Sequence, residues 1–126
     1  MVNKFGLCAC VLLWMAGLPT DASAAPLAAV LAHKPYHVVR STLIGLGYRP
    51  VKFIHTNACP DGQTFCGKYR EVISCSGTGL ATCEFAWTRN GKYFEVTTTG
   101  ELTPTFHTIR QVGQRERTEE WGPIAH

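Results

Sequence analysis

The sequence predicts an α+β domain in which one N-terminal helix packs on a four- to five-stranded antiparallel sheet held by two disulfides. Asn90-Gly91 marks the centre of that sheet, because a type I′ hairpin turn needs positive φ at both central residues. Apolar residues alternate on either side of this turn, which is typical of half-buried strands. An apolar stripe with helical spacing precedes them, and a helix followed by a run of strands indicates two packed layers.

Residues 1–24 have the pattern of a secretory signal peptide. Lys4 precedes an apolar run from Phe5 to Leu18, and Ala22-Ser23-Ala24 supplies a small-residue cleavage site. The alternative is a membrane anchor, but the run is shorter than the roughly 18–20 residues that span a bilayer. We therefore expect cleavage, no stable membrane insertion afterwards, a periplasmic or secreted location, and a single mature domain over residues 25–126.

The mature chain is expected to begin with a flexible lead-in, Ala25 to Lys34, and then to form one helix. Pro35 favours the first turn of a helix. The apolar stripe that follows has the spacing i, i+3, i+7 and i+10, and consists of Tyr36, Val39, Leu43 and Leu46. Gly47 occupies the position of a left-handed C-terminal cap, and Pro50 prevents continuation of the helix.

The expected strands are Val51 to His55 at the edge, Tyr69 to Cys75, Ala81 to Arg89, Lys92 to Thr99, and Thr105 to Val112. The last strand is irregular, because Phe106 and Val112 share one parity while Ile109 has the other. The charged tail, residues 114–126, is expected to be either flexible and frayed or a short helix laid on the sheet.

The turn at Asn90-Gly91 also sets the register of the hairpin. It pairs Arg89 with Lys92, Trp87 with Phe94, Phe85 with Val96, and Cys83 with Thr98. Side chains alternate between the two faces of a strand. The face expected to meet the helix carries Cys83, Phe85, Trp87, Phe94 and Val96. The face expected to meet solvent carries Glu84, Ala86, Thr88, Tyr93, Glu95 and Thr97.

Four cysteines follow the signal peptide: Cys59, Cys66, Cys75 and Cys83. An even number of cysteines in an exported chain indicates two disulfides. Three pairings are possible, and we expect Cys59–Cys66 with Cys75–Cys83 because each closes a short loop rich in turn residues. A four-cysteine zinc site is the alternative, but the close cysteine pairs of such sites are missing from the sequence.

The charge and the polar residues limit the classes of function. The net charge is +3, and the basic residues are scattered without the run or stripe that a nucleic-acid or membrane-surface protein would carry. His33 and His37 are separated by Pro35, and His55 and His107 lack an acidic neighbour, so no metal site is predicted. No catalytic constellation is recognisable. We expect no nucleic-acid partner, no cofactor and no enzymatic activity.

Binding is therefore the predicted activity, and the candidate binding residues are Phe65, Glu84, Tyr93 and Glu95. Phe65 lies in the ring that Cys59–Cys66 would close, where rigidity lowers the entropy lost on binding. Glu84, Tyr93 and Glu95 lie on the outer face of the hairpin, where carboxylates are normally solvated.

Three patterns cover most of the mature chain: R-x-x-L-x-x-x-G-Y-x-P-V from Arg40 to Val51, E-V-x-S-C-S-G-T-G-x-A-x-C-x-F-x-W from Glu71 to Trp87, and V-x-T-x-G from Val96 to Gly100. In this combination the chain resembles a group of small exported bacterial proteins of uncharacterised function. The resemblance implies that the protein is exported and has this fold, and it implies no activity and no site residue. In architecture the predicted domain is also similar to exported inhibitor and immunity-type proteins.

Two functions follow as expectations. The first is a periplasmic binding protein of the inhibitor or immunity type, which acts on an envelope enzyme through a protein–protein contact. The alternative is a structural or accessory component of the cell envelope, which contacts its neighbours through the sheet edge and the tail after Gly113.

Overall fold

The computed structural model describes residues 24–53, 67–76 and 79–125. Helices in these ranges include α1 (Ala24–Leu31), α2 (Tyr36–Gly45) and α3 (Gln114–Glu120). The strands are β1 (Arg49–Pro50), β2 (Val72–Cys75), β3 (Cys83–Arg89), β4 (Lys92–Thr99) and β5 (Thr105–Val112). They form one five-stranded antiparallel sheet, which confirms the α+β class. Because helices both precede and follow the strands, the expectation of a single N-terminal helix is wrong.

The β3–β4 hairpin follows the register set by Asn90-Gly91. Both residues have positive φ, 51° and 73°, and the four predicted cross-strand pairs all form. β4 pairs next with β5, whereas β1 and β2 share the other edge of β3, with β1 near the hairpin turn. The predicted Cys75–Cys83 disulfide joins β2 to β3. The predicted Cys59–Cys66 disulfide lies outside the described residues.

The face of the hairpin that carries Trp87 packs against α2, as predicted. The buried residues of this helix-side core are Leu31, Tyr36, Val39, Leu43, Tyr48, Val72, Cys83, Phe85, Trp87, Val96 and Phe106. Leu46, expected in the stripe, is 46% exposed because it follows the last residue of α2. Gly47, with φ of 87°, turns the chain back, and the Tyr48 N–H donates to the Leu43 carbonyl at 3.0 Å. This is the expected C-terminal cap, and Tyr48 replaces Leu46 in the core.

The segment expected to be a flexible lead-in forms α1, so that expectation is wrong. Its alanine-rich composition favours a helix, and Leu31 at its end is fully buried in the helix-side core. A backbone hydrogen bond from the Phe106 N–H to the Lys34 carbonyl, at 2.9 Å, ties the segment after α1 to β5. Within the described residues, no helix is long and apolar enough to cross a membrane.

The opposite face of the sheet carries a second core instead of a solvated surface. Its buried residues are Val51, Phe53, Ala86, Val112 and Trp121. The chain after α3 folds back along residues 51–53, because the Ala125 N–H donates to the Lys52 carbonyl at 2.8 Å and Phe53 pairs with Ile124. Of the two alternatives for the tail, residues 114–120 therefore take the helical one.

A β-bulge explains the irregular faces of β5. Thr97 pairs with Thr108 while Thr98 pairs with Phe106, so His107 is the extra residue. Side-chain alternation restarts after such an insertion. Phe106 and Ile109 therefore both pack on the helix-side core although they are three residues apart.

Candidate functional site

A cleft opens at the hairpin-turn end of the sheet, between β1 and the chain that follows α3. It encloses about 440 Å³, which is within the roughly 300–1,000 Å³ typical of ligand sites. The polar and aromatic side chains that line it are Arg49, Lys52, Thr88, Tyr93 and Arg117. We call this feature the basic cleft.

The two walls of the basic cleft come from opposite ends of the described chain. One wall follows from the pairing of β1 with β3, in which Arg49 lies opposite Thr88. The other wall begins with α3, and the backbone bond from the Trp121 N–H to the Arg117 carbonyl, at 3.0 Å, fixes its last turn. Trp121 is 5% exposed. Its burial in the second core therefore holds the two walls together.

The cationic groups of the basic cleft lack counter-charges. Arg49, Lys52 and Arg117 form no ion pair with any described carboxylate, and no acidic side chain is among the described residues that line the cleft. On the outer strand of the same sheet, by contrast, Arg110 contacts Glu95 and Glu116. The basic cleft is thus a concentration of uncompensated positive charge.

Arg117 is the most constrained of the three cations. Its guanidinium lies 4.9 Å from the centre of the Tyr93 ring, at cation–π distance. Its Nε is buried, and it has no hydrogen-bond acceptor among the described residues. A buried donor without an acceptor is costly, more so on a charged group. Because Arg117 lines the cleft, an anionic group placed there would offset part of the charge of its guanidinium.

The structure places the predicted binding residues apart from one another. Tyr93 lines the basic cleft. Glu84, partly buried further along the same strand pair, accepts a hydrogen bond from Ser74 Oγ at 2.9 Å. Glu95 is 5% exposed and is bound to Arg110. Phe65 lies outside the described residues. Only Tyr93 among the predicted residues that can be located therefore belongs to the cleft.

Glu95 departs most from the sequence expectation, which placed it on a solvated face. α3 and Trp121 cover that face, and burial raises the pKa of Glu95 above its usual value. The hydrogen bond from Arg110 Nε, at 3.0 Å, opposes this rise without cancelling it. Burial of its charge is thus only partly compensated.

Glu95→Gln should become more stable relative to the wild type as the pH rises from below 4.5, the usual pKa of glutamate, to about 7. Because the folded-state pKa is raised, Glu95 favours folding while protonated, and this contribution is lost as pH rises through the folded pKa. Urea unfolding at a series of pH values measures the difference. Glu116→Gln, which removes a charge from the exposed partner of Arg110, is the matched control. If the difference in unfolding free energy between Glu95→Gln and the wild type does not change with pH, the pKa of Glu95 is not raised in the folded state.

Neither a cluster of three or more metal-ligating side chains nor a known relative points to a site elsewhere in the described residues. In the described ranges, no group of three or more His, Cys, Asp or Glu side chains is placed to hold a metal ion. Comparisons of the chain with protein-family models, with curated proteins and with solved structures find no match. The geometry of the basic cleft is therefore the feature that bears most directly on function.

Proposed function

We propose that this protein is a small exported binding module of the inhibitor or immunity type, which holds an acidic group of a protein partner in its basic cleft. The observation that carries the proposal is the set of three cations, Arg49, Lys52 and Arg117, around a cleft whose described lining contains no acid. A carboxylate of the partner would neutralise part of this charge.

The form of the cleft favours a protein group as its occupant. Arg and Tyr are the side chains that most often dominate protein–protein affinity, and Arg117 and Tyr93 are already stacked on each other. A preorganised site loses less entropy on binding than a mobile one. Complementary charge also speeds encounter and orients the partner.

The envelope location rests on two further observations. Residues 1–24 have the signal-peptide pattern, and Cys75 and Cys83 are bonded. Disulfides persist in oxidising compartments such as the bacterial periplasm. Both observations support a partner that is also in the envelope.

Charge reversal in the basic cleft should weaken capture of the partner. Tagged protein exported to the periplasm would be used to capture partners from envelope extract, with mass spectrometry as the readout. Lys52→Glu and Arg49→Glu should each weaken binding of the captured partner by roughly tenfold or more, because like charges would then meet. Binding by the wild type should also weaken as salt is added.

Arg115→Glu is the matched control for these reversals. Arg115 lies on α3, its side chain is 91% exposed, and it does not line the basic cleft. The variant makes the same change in net charge, so it should capture the partner as the wild type does. Equal loss in all three variants would indicate a general charge effect, and equal capture by all three would refute a role for the cleft.

The alternative function is a structural or accessory envelope component that docks through residues 114–126. Trp121 is buried in the second core, and Ala125 is hydrogen-bonded to Lys52. Deleting the tail would therefore expose the core and would not test docking alone. Point substitutions on the exposed face of α3 are the sharper test: an accessory protein that docks there should lose its partner in Arg115→Glu but keep it in Lys52→Glu.

A further inference from the structure

A second cavity, which shares no lining residue with the basic cleft, lies between α1 and β5. It encloses about 400 Å³. Its polar lining consists of His33, Thr99, Thr105 and His107. Two histidines that are far apart in the sequence thus line one small space. We call this feature the histidine cavity.

Backbone pairing explains why two distant segments line the same cavity. Pro35 forms an antiparallel bridge with Thr105. The Tyr36 N–H donates to the Pro104 carbonyl at 2.8 Å, and the Phe106 N–H donates to the Lys34 carbonyl at 2.9 Å.

The paired backbone ends at Lys34, because the Lys34 N–H donates to the Leu31 carbonyl at the end of α1, at 3.1 Å. His33 and His107 each lie two residues from the Pro35–Thr105 bridge, on the same side of it, and both line the cavity.

Both histidines also have unusual backbone geometry. His33 has φ of 60°, in the left-handed region that non-glycine residues rarely adopt. His107 is the extra residue of the bulge in β5. Bulges redirect side chains and occur often beside functional sites, and left-handed non-glycine residues cluster at ligand sites.

We propose that His33 and His107 form a bis-histidine site for a borderline divalent transition-metal ion of the Ni²⁺, Cu²⁺ and Zn²⁺ class. Imidazole nitrogen suits these ions, whereas Mg²⁺ and Ca²⁺ require oxygen ligands, and no carboxylate is among the described residues lining the cavity. Water would complete the coordination, and Thr99 and Thr105 are the other polar residues that line the cavity.

A bound ion would join the segment between α1 and α2 to β5. Only the folded chain brings the two ligands together, so metal binding would stabilise the fold by mass action. The site is independent of partner binding, because neither histidine lines the basic cleft. Each function can therefore fail without the other.

The test uses Ni²⁺ and Zn²⁺ alone, with the exported protein purified without a histidine tag. Calorimetric titration should give one ion per chain, and the melting temperature should rise with added metal. His107→Asn and His33→Asn should each weaken binding by tenfold or more and abolish the rise. Asparagine is chosen at position 33 because it tolerates left-handed backbone.

His37→Asn is the control, because His37 is exposed and lines a different cavity. It should bind metal as the wild type does. If His33→Asn does not fold, His107→Asn decides the question, since His107 is exposed on the bulge. Absence of binding in the wild type, equal binding in His107→Asn and His37→Asn, or loss of binding in His37→Asn would each overturn the proposal.

Discussion

Trp87→Ala is expected to lower the free energy of unfolding by about 3–5 kcal/mol, the range for removing a large buried aromatic side chain. Trp87 is fully buried in the helix-side core, where it lies opposite Phe94 on β4 and Pro50 on β1. Small domains have net stabilities of only about 5–15 kcal/mol. Urea unfolding followed by circular dichroism would measure the change without relying on the removed fluorophore.

Two further variants test the origin of this cost. Trp87→Phe tests the contribution of packing, and Tyr93→Ala tests which face of the hairpin meets the helix-side core. Trp87→Phe keeps a large aromatic ring in the helix-side core, so it should cost clearly less than Trp87→Ala. Tyr93→Ala removes a half-buried ring that meets Trp121 edge-on at 5.7 Å. This substitution should lower the free energy of unfolding by more than the loss of a solvent-facing tyrosine would, and by less than Trp87→Ala does. Equal costs for Trp87→Ala and Tyr93→Ala would contradict the assignment of the two faces.

The parts of the fold that could be predicted from the sequence are those specified by local conformation. Asn90-Gly91 requires a particular turn, and the turn alone fixes every pair of β3 with β4. Gly47 in the same way sets the end of α2. The Cys75–Cys83 bond closes a short loop between neighbouring strands. In each case the feature is caused by residues that lie close together in the sequence.

The second core could not be predicted because its causes are distant in sequence. Trp121 in a charged tail, Phe53 beside the predicted loop and Val112 at a strand end show no shared period, yet all are buried together. Glu84 and Glu95 each occupy a polar position in a strand of alternating apolar and polar residues, a pattern that is typical of a solvated face. Tertiary packing overrides that pattern, since Arg110 provides a partner for the buried Glu95. α1 was missed for a related reason: burial of Leu31 in the helix-side core stabilises this helix, and that core is formed by residues distant in sequence.

The two candidate sites illustrate the same limit. Arg49 and Lys52 are separated from Arg117 by most of the sheet sequence, so a search for a basic run misses the cleft that they share. His33 lay in a segment expected to be flexible, and no spacing rule connects it to His107. A sequence signal that could have placed the tail on the sheet is Trp121, the one aromatic among residues 114–126, because large aromatic side chains contribute strongly to cores.

Glu71→Ala is the second substitution with a large expected effect. Glu71 is 1% exposed, and its Oε1 accepts from Arg40 Nε at 2.6 Å and from Tyr36 Oη at 3.1 Å. Burial, followed by the negative charge of Glu71, raises the pKa of Tyr36 well above its usual value, so Tyr36 stays a donor. The Glu71 carbonyl also accepts from the Ala86 N–H at 2.8 Å. The residue therefore connects α2, through two side chains, to the centre of the sheet.

Loss of this carboxylate should lower the free energy of unfolding by about 2–4 kcal/mol. Breaking a buried ion pair typically costs about 3–5 kcal/mol, but the Arg40 side chain is 34% exposed and can regain water, which reduces the figure. Tyr36 is 3% exposed and cannot do so. Most of the cost should therefore come from the stranded Tyr36 hydroxyl and from the cavity left by the side chain.

A double-mutant cycle in urea unfolding tests that division of the cost. In the wild type, Tyr36→Phe should be destabilising by about 1 kcal/mol, the typical value of one hydrogen bond. In the Glu71→Ala background it should be neutral or stabilising, because it removes a donor that has already lost its acceptor. Arg40→Ala, whose side chain can reach solvent, should show the smaller coupling to Glu71→Ala. Strictly additive costs for Tyr36→Phe and Glu71→Ala would mean that the hydroxyl finds another acceptor and that the Glu71 carboxylate is not what holds α2 to the sheet.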